Sequence, residues 1–246
     1  MIDIHAHILP GVDDGSPDME DSILMARLAL EGGVDTIIAT PHGNLSEGGD
    51  IRAQEREHTR EVLEVLTEFR TELQRRSIPL RVFSGMEIFA TEDAAELLKD
   101  GILLPLLEGP YCLIEFDFGD SAAVCGRRIT EMLEAGWRPI IAHPERYDCV
   151  QDDPYLARRW TRMGCQLQVN RGSVLGSFGR EPHTAAWELL EMDLVSYIGS
   201  DAHSPYQRTT YMQDVYDVIS DAFSVRRANK LLKENAANYL LGIQEN

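Results

Sequence analysis

Seven short apolar runs, with helical patterns between them, set the main constraint on how this chain can fold. They are "IDIHAH", "VDTIIATPH", "LRVFSGMEI", "YCLIEFDF", "RPIIAHPER", "CQLQVN" and "LVSYIGSDAH". Most are too apolar to leave one face in water, as expected of parallel strands covered on both faces.

The helical stripes between them have the usual start and stop signals. Ser16 reads as an N-cap and Pro17 as a first-turn residue, with Asp18, Glu20 and Asp21 near the positive end. Gly32-Gly33 stops that helix. Val62, Leu66, Phe69 and Leu73 form the buried stripe of a second helix, and Ile129, Met132 and Leu133 precede Gly136 in a third. Further helices are predicted near 155–163, 183–192, 208–222 and 225–241.

This βα alternation, with no low-complexity linker, predicts one domain over residues 1–246 with parallel strands and right-handed crossovers. Periodicity alone fits either a closed barrel or an open doubly wound sheet. No Gly-rich phosphate loop follows any strand, which weighs against nucleotide binding. No run of about 18 apolar residues and no basic-then-apolar leader are visible, so neither a membrane span nor a signal peptide is expected. Cys112, Cys125, Cys149 and Cys165 have no CxxC spacing and read as reduced thiols of a cytoplasmic protein. The formal net charge of −18 argues against nucleic-acid binding. It also means that handling phosphate requires local cations, either arginines or metal ions.

The polar residues are not scattered. His5, His7, His42, Glu87, Glu115, His143, Asp201 and His203 all fall at the C-terminal ends of predicted strands, where barrel active sites gather. An aspartate of the Asp13-Asp14 turn follows the first strand, and position in the chain leaves open which of the two belongs to the group. Each residue alone has an ordinary structural explanation. Together, five of the seven histidines and four carboxylates would converge on one rim. Four clustered carboxylates repel one another unless cations offset them. Imidazole with carboxylate and no thiolate suits Mn, Zn or Fe(II), and nine donors exceed the needs of one ion, so two or three ions are the natural count. His58 and His183 stand at predicted helix starts and read as surface residues.

One rival constellation exists. Cys165 to Arg171, "CQLQVNR", has the bare C-x5-R spacing of cysteine-dependent phosphatases. That chemistry needs a phosphate-wrapping loop, usually helped by glycines. The intervening residues instead alternate like a strand, so Cys165 is expected in the core.

In order along the chain, "DIHAH", "TPH", "GMEI", "IAHPER" and "SDAH" resemble the motifs of the polymerase-and-histidinol-phosphatase (PHP) superfamily. More narrowly, "IDIHAHILPGVDDG", "TIIATPH", "LIEF", "HPERY" and "SDAH" followed by an arginine resemble the bacterial PHP-type tyrosine phosphatases of capsular and exopolysaccharide clusters. The resemblance implies a distorted (β/α)7 barrel with a trinuclear, usually manganese-dependent site, Fe, Zn or Mg being the other candidates. It implies one ion on His5, His7, Glu87 and Asp201, a second on Glu87, Glu115 and His143, and a third on Asp14, His42 and His203. It thereby selects Asp14 over Asp13. Glu115 stands where many superfamily members have His and the tyrosine phosphatases have Glu. Arg146 and Arg208 match the subgroup's phosphate-binding arginines. The Gly-rich segment "GNLSEGGDI" after His42 departs from the pattern and bears on the substrate mouth.

The implied function is a cytoplasmic, metal-dependent protein-tyrosine phosphatase acting on the phosphotyrosine segment of a bacterial kinase that regulates capsular or exopolysaccharide synthesis. A small-molecule phosphomonoesterase of the histidinol-phosphatase type is the alternative. A nuclease is disfavoured by charge, and a silent metal-binding regulator by the full ligand set.

Overall fold

All seven apolar runs form strands, and every strand pairing is parallel. The computed structural model describes residues 1–45 and 48–242. The strands are β1 (Ile2–Ala6), β2 (Thr36–Ala39), β3 (His42–Gly43), β4 (Arg81–Ser84), β5 (Glu87–Phe89), β6 (Tyr111–Glu115), β7 (Arg138–Ala142), β8 (Gln166–Asn170) and β9 (Tyr197–Gly199). They pair as β1-β2-β4 and as β3-β5-β6-β7-β8-β9. The second and third predicted strands are each broken in two. Pro41, which lacks an N–H, interrupts one just before His42. In the other, strand pairing lapses at Gly85 and Met86, and at Gly85 a Cβ would meet the Leu106 side chain at 2.7 Å and that of Ile38 at 3.0 Å.

These breaks connect the two sheets, because β2 runs into β3 and β4 into β5. The ends also meet. Ala6 bridges Ala202, the His7 N–H donates to Ala202 O at 2.9 Å, and the Asp201 N–H donates to His5 O at 2.8 Å. Strand order therefore follows chain order and returns to β1. That is barrel order, without the reversal that marks a doubly wound sheet.

The surrounding helices are α1 (Met19–Glu31), α2 (Ile51–Arg75), α3 (Ala94–Lys99), α4 (Ala122–Glu134), α5 (Asp148–Asp152), α6 (Tyr155–Met163), α7 (Arg171–Val174), α8 (Arg180–Glu191) and α9 (Gln213–Ala222), followed by helical segments from Val225 to Tyr239. The expected stripe of α2 is buried against the core. Two predicted helix starts are corrected. Asp18, not Ser16, caps α1 by accepting from the Asp21 N–H at 3.0 Å. Ser16 is buried, and its hydroxyl instead donates to Asp18 O. Residues 208–212 do not begin α9, because the Arg208 carbonyl turns back to accept the His203 N–H at 2.9 Å.

β8 also disposes of the C-x5-R match. Cys165 is buried at the strand's start, and burial pushes its thiol up to about 12. Arg171 lies past the other end, paired with Asp214. An extended strand rising about 3.3 Å per residue keeps the two backbones roughly 15–20 Å apart, too far to share a phosphate.

Candidate metal centre

The alternation of β1 places Asp3, His5 and the following His7 on one face of the strand. The ring of strands then brings the remaining candidates to them. His42 opens β3, Glu87 opens β5, Glu115 closes β6, His143 follows β7, and Asp201 and His203 follow β9. Two of these residues have left-handed backbones, His143 at φ 33° and Asp201 at φ 50°. Such conformations cost of order 1–3 kcal/mol in non-glycine residues, and they concentrate where a side chain must be aimed.

All nine predicted ligands meet in one place. His5, His7, Glu87 and Asp201 form a buried group, with His5 Nε2 and His7 Nε2 at 3.0 and 3.1 Å from Glu87 Oε2 and at 3.5 and 3.6 Å from Asp201 Oδ1. Asp14, His42 and His203 form a second group, which His7 joins. Asp14 Oδ1 is 3.5 Å from His42 Nε2 and 3.3 Å from His203 Nε2. Glu87, Glu115 and His42 form a third, with His42 Nδ1 2.9 Å from Glu115 Oε1. Beside it, His143 Nε2 lies 2.7 Å from Glu87 Oε1 and 3.8 Å from Glu115 Oε2. His42 therefore turns one nitrogen toward each of two groups.

Burial lowers the pKa of His5, but Glu87 and Asp201 outweigh it and raise it to about 9. Burial likewise opposes His7, which Asp13 and Glu87 hold well above the usual imidazole range. Against its own burial, Glu87 is held well below the carboxylate range by His5 and His143, and Asp201 by His5 and Arg208. His203 is pushed down to about 4, by burial and then by the charge on His7. Glu87 and Asp201 thus remain ionised at neutral pH.

This donor set fits divalent cations. Donor atoms 3.0–3.6 Å apart match the edge lengths of a coordination shell with bonds of about 2.1 Å. His42 Nδ1 and His143 Nδ1 are buried without a hydrogen bond, His42 Nδ1 being out of line with Glu115 despite its proximity.

Hydrogen bonds behind the site orient it. Asp201 Oδ2 can only accept, so it takes the Asn170 Nδ2–H at 2.6 Å, and Asn170 Oδ1 then takes the Gln168 Nε2–H at 2.8 Å. That leaves Gln168 Oε1 facing His5 Nδ1 at 2.8 Å, so the ring proton sits on Nδ1 and Nε2 faces the cluster. Gly199 makes room for this pair, since a Cβ there would come within 2.9 Å of both side chains. Asp13 accepts from His7 Nδ1 at 2.6 Å and from the Gly15 and His42 N–H groups. The Asp-Asp-Gly turn is tight because Gly15 abuts His7, where a Cβ would meet the His7 carbonyl oxygen at 2.3 Å.

A cavity of about 220 Å³ opens above, lined by seven of the nine candidates with Phe118, Arg146 and Arg208. Arg146 Nη1 and Arg208 Nη2 lie 3.6 and 2.5 Å from Asp201 Oδ2. Glu145 does not hold Arg146; it is buried and accepts the Asn170 N–H at 2.9 Å. Beside this cavity lies a larger one of about 580 Å³, reaching Val12, Leu45, Glu55 and His58 and sharing Asp14 and His42. His58 and His183 are not free surface residues. Each ring is partly buried, His58 Nε2 on the His42 carbonyl at 2.8 Å and His183 Nδ1 on that of Ser173 at 3.0 Å. Within the segment after His42, residues 46 and 47 lie outside the described residues.

The sequence alone does not single out Gln168, Asn170, Phe118 or Phe178, and it leaves Asp13 as one of two open candidates in the Asp13-Asp14 turn. The two amides sit in an ordinary alternating strand, and the two phenylalanines lie in loops.

Residues 1–241 match the family model for capsular polysaccharide synthesis, CpsB/CapC. The chain is 35% identical to the tyrosine-protein phosphatase YwqE of Bacillus subtilis (strain 168), over 96% of this chain and 90% of that protein. It is 31% identical to the tyrosine-protein phosphatase CpsB of Streptococcus pneumoniae, over 98% of each. It superposes with a TM-score of 0.86 and 33% identity on a crystal structure from work on YwqE and CpsB, described as unique metal-dependent tyrosine phosphatases, covering 100% of this chain and 96% of that one.

Proposed function

From the premise that the chain belongs to the CpsB/CapC family of capsular polysaccharide synthesis, we propose that it is a metal-dependent protein-tyrosine phosphatase. The observation that carries this is the convergence of nine nitrogen- and oxygen-bearing side chains at one end of the ring of strands, seven of them lining, with two arginines, a cavity of about 220 Å³. His5, His7, Glu87 and Asp201 would hold one divalent ion, Glu87, Glu115 and His143 a second, and Asp14, His42 and His203 a third, with manganese the favoured metal. Such ions supply Lewis acidity and a water-derived nucleophile near neutral pH.

The chain's own residues do the rest. Gln168 and Asp13 keep the Nε2 atoms of His5 and His7 turned to the cluster. Arg146 and Arg208 bind the phosphoryl oxygens through planar N–H forks and stabilise charge that grows during transfer. A tyrosine phenol, with a pKa near ~10, leaves as phenolate with less help than an aliphatic alkoxide needs. The adjoining 580 Å³ cavity has room for residues flanking the phosphotyrosine. The substrate we assign is a phosphotyrosine segment of a bacterial tyrosine kinase of capsule or exopolysaccharide synthesis. We assign residues 1–246 to one catalytic domain, working in the cytoplasm. Among the described residues no helix is long and apolar enough to cross a membrane.

The test is turnover of a phosphotyrosine peptide against histidinol phosphate and a nucleotide, by chelated enzyme resupplied with Mn²⁺, alongside metal analysis. Preference for the peptide and two or three ions per chain are expected. Preference for histidinol phosphate would install the small-molecule reading, and active enzyme with under one ion per chain would remove the metal reading.

A further inference from the structure

Both rim arginines approach one aromatic ring that belongs to neither of their loops. Phe178 lies between α7 and α8, beyond the end of β8, whose C-terminal end supplies none of the nine candidate ligands. The guanidinium carbon of Arg146 stands 5.1 Å from the Phe178 ring centre, and that of Arg208 stands 5.5 Å from it. Both lie within the ~6 Å over which a ring face attracts a cation. Arg146 comes from the turn after β7 and Arg208 from the loop after β9, so the ring joins two forks delivered by different strands. Of the two arginines, Phe118 approaches Arg146 alone, at 4.3 Å. The ring also has a prepared seat. At Gly172, the second residue of α7, an added Cβ would come within 2.6 Å of Phe178 Cζ, so any side chain there would displace the ring.

We propose that Phe178 is a positioning residue for phosphoryl recognition, a shared shelf that holds Arg146 and Arg208 side by side so that both forks meet one phosphoryl group. This rests on reading the two arginines as phosphate-binding groups. A long, rotamer-rich arginine loses freedom when it clasps an anion, and fixing it beforehand lowers that cost. The arginines' other common support is Asp201, which is also assigned to a metal ion. Unlike Asp201, the ring is a shared support to which no metal ion is assigned.

The test uses metal-loaded enzyme carrying Phe178→Tyr or Phe178→Leu, each alone and combined with Arg146→Lys or Arg208→Lys. Inorganic phosphate affinity is read by calorimetry, and kcat and KM on a phosphotyrosine peptide by kinetics, with metal content and melting temperature alongside. Tyr keeps the ring face and should stay within about two-fold of the parent. Leu keeps apolar bulk but no ring face. It should weaken phosphate and raise KM roughly five-fold or more, with kcat less affected and metal content unchanged. That loss should shrink in either Arg→Lys background. If both Arg→Lys variants weaken phosphate binding while Phe178→Leu does not, or if the effects simply add, the shelf is wrong and the arginine reading stands. If neither Arg→Lys variant weakens phosphate binding, the arginine reading falls and the shelf falls with it. If Tyr and Leu both lose metal and melt early, Phe178 is a structural prop and the proposal is overturned.

Discussion

Asp13 and Asp14 are identical in chemistry and adjacent in sequence, yet they have different surroundings. The Asp13 side chain is 6% exposed and bonded to His7, whereas that of Asp14 is 68% exposed and turned to His42 and His203. The His7 imidazolium pulls the Asp13 carboxyl down to about 2 in spite of burial. Asp13→Asn keeps the shape but loses the charge that orients His7. Its divalent-ion affinity should fall roughly 10- to 100-fold, as when other carboxylates behind ligating histidines are removed. Competition with a chelating dye measures this, and unchanged affinity would return Asp13 to a purely structural turn. The arginines separate in another way. Arg146→Lys or Arg208→Lys should lower kcat/KM by roughly ten-fold or more, on the order of 1.4 kcal/mol, with metal content intact, because an ammonium cannot form the two parallel bonds of the fork. A joint loss of metal and thermal stability would point instead to their contacts with Asp201.

Among the elements, β8 shows how far the sequence could be read. The seven strands were legible because buried parallel strands are nearly all apolar, and eight of the nine candidates because each departs from that pattern at a strand's C-terminal end. β8 ends in no candidate, so its amides looked like routine alternation. Their task depends on cross-strand neighbours, Gln168 reaching His5 on β1 and Asn170 reaching Asp201 beyond β9. Spacing along one chain carries no record of that. The same lack of registry hid the splitting of the second and third strands, which follows from Pro41 and from packing at Gly85. Gln168→Leu should preserve the fold, free the His5 ring to rotate, and weaken metal binding about ten-fold or more. Retention of parental affinity would mean that the relay does not orient His5. At the other end of β8, Cys165→Ser should leave phosphatase activity in place, whereas Glu87→Ala should abolish it together with bound metal. A folded but inactive Cys165→Ser enzyme would reopen the C-x5-R mechanism.

Across the whole molecule, the site concentrates opposite charges that the fold must balance with protons or with metal. The net charge is −18, and the ring of strands gathers four candidate carboxylates at one end. Without metal, protons on His5 and His7 supply the balance, His5 being raised to about 9 and His7 held well above its usual value. A histidine raised on folding stabilises the fold fully below its unfolded pKa near ~6.5, and that contribution is lost as pH climbs through the folded value. Glu87 and Asp201, both depressed, act in the opposite direction and lose their contribution only in acid. His203, lowered to about 4, also penalises the fold as pH drops below its unfolded value. Chelated protein should therefore be most stable near pH 6 and should melt progressively earlier from pH 6.5 to 9. Divalent ions replace the same protons, so their binding should release protons and tighten as pH rises over that interval. The gap in melting temperature between Mn²⁺-loaded and chelated protein should accordingly widen from pH 6.5 to 9. Calorimetry at matched ionic strength reads both curves. A chelated protein whose melting temperature holds or rises across that interval would show that the histidines at the base of the site are neutral without metal, and that the carboxylates are balanced in another way.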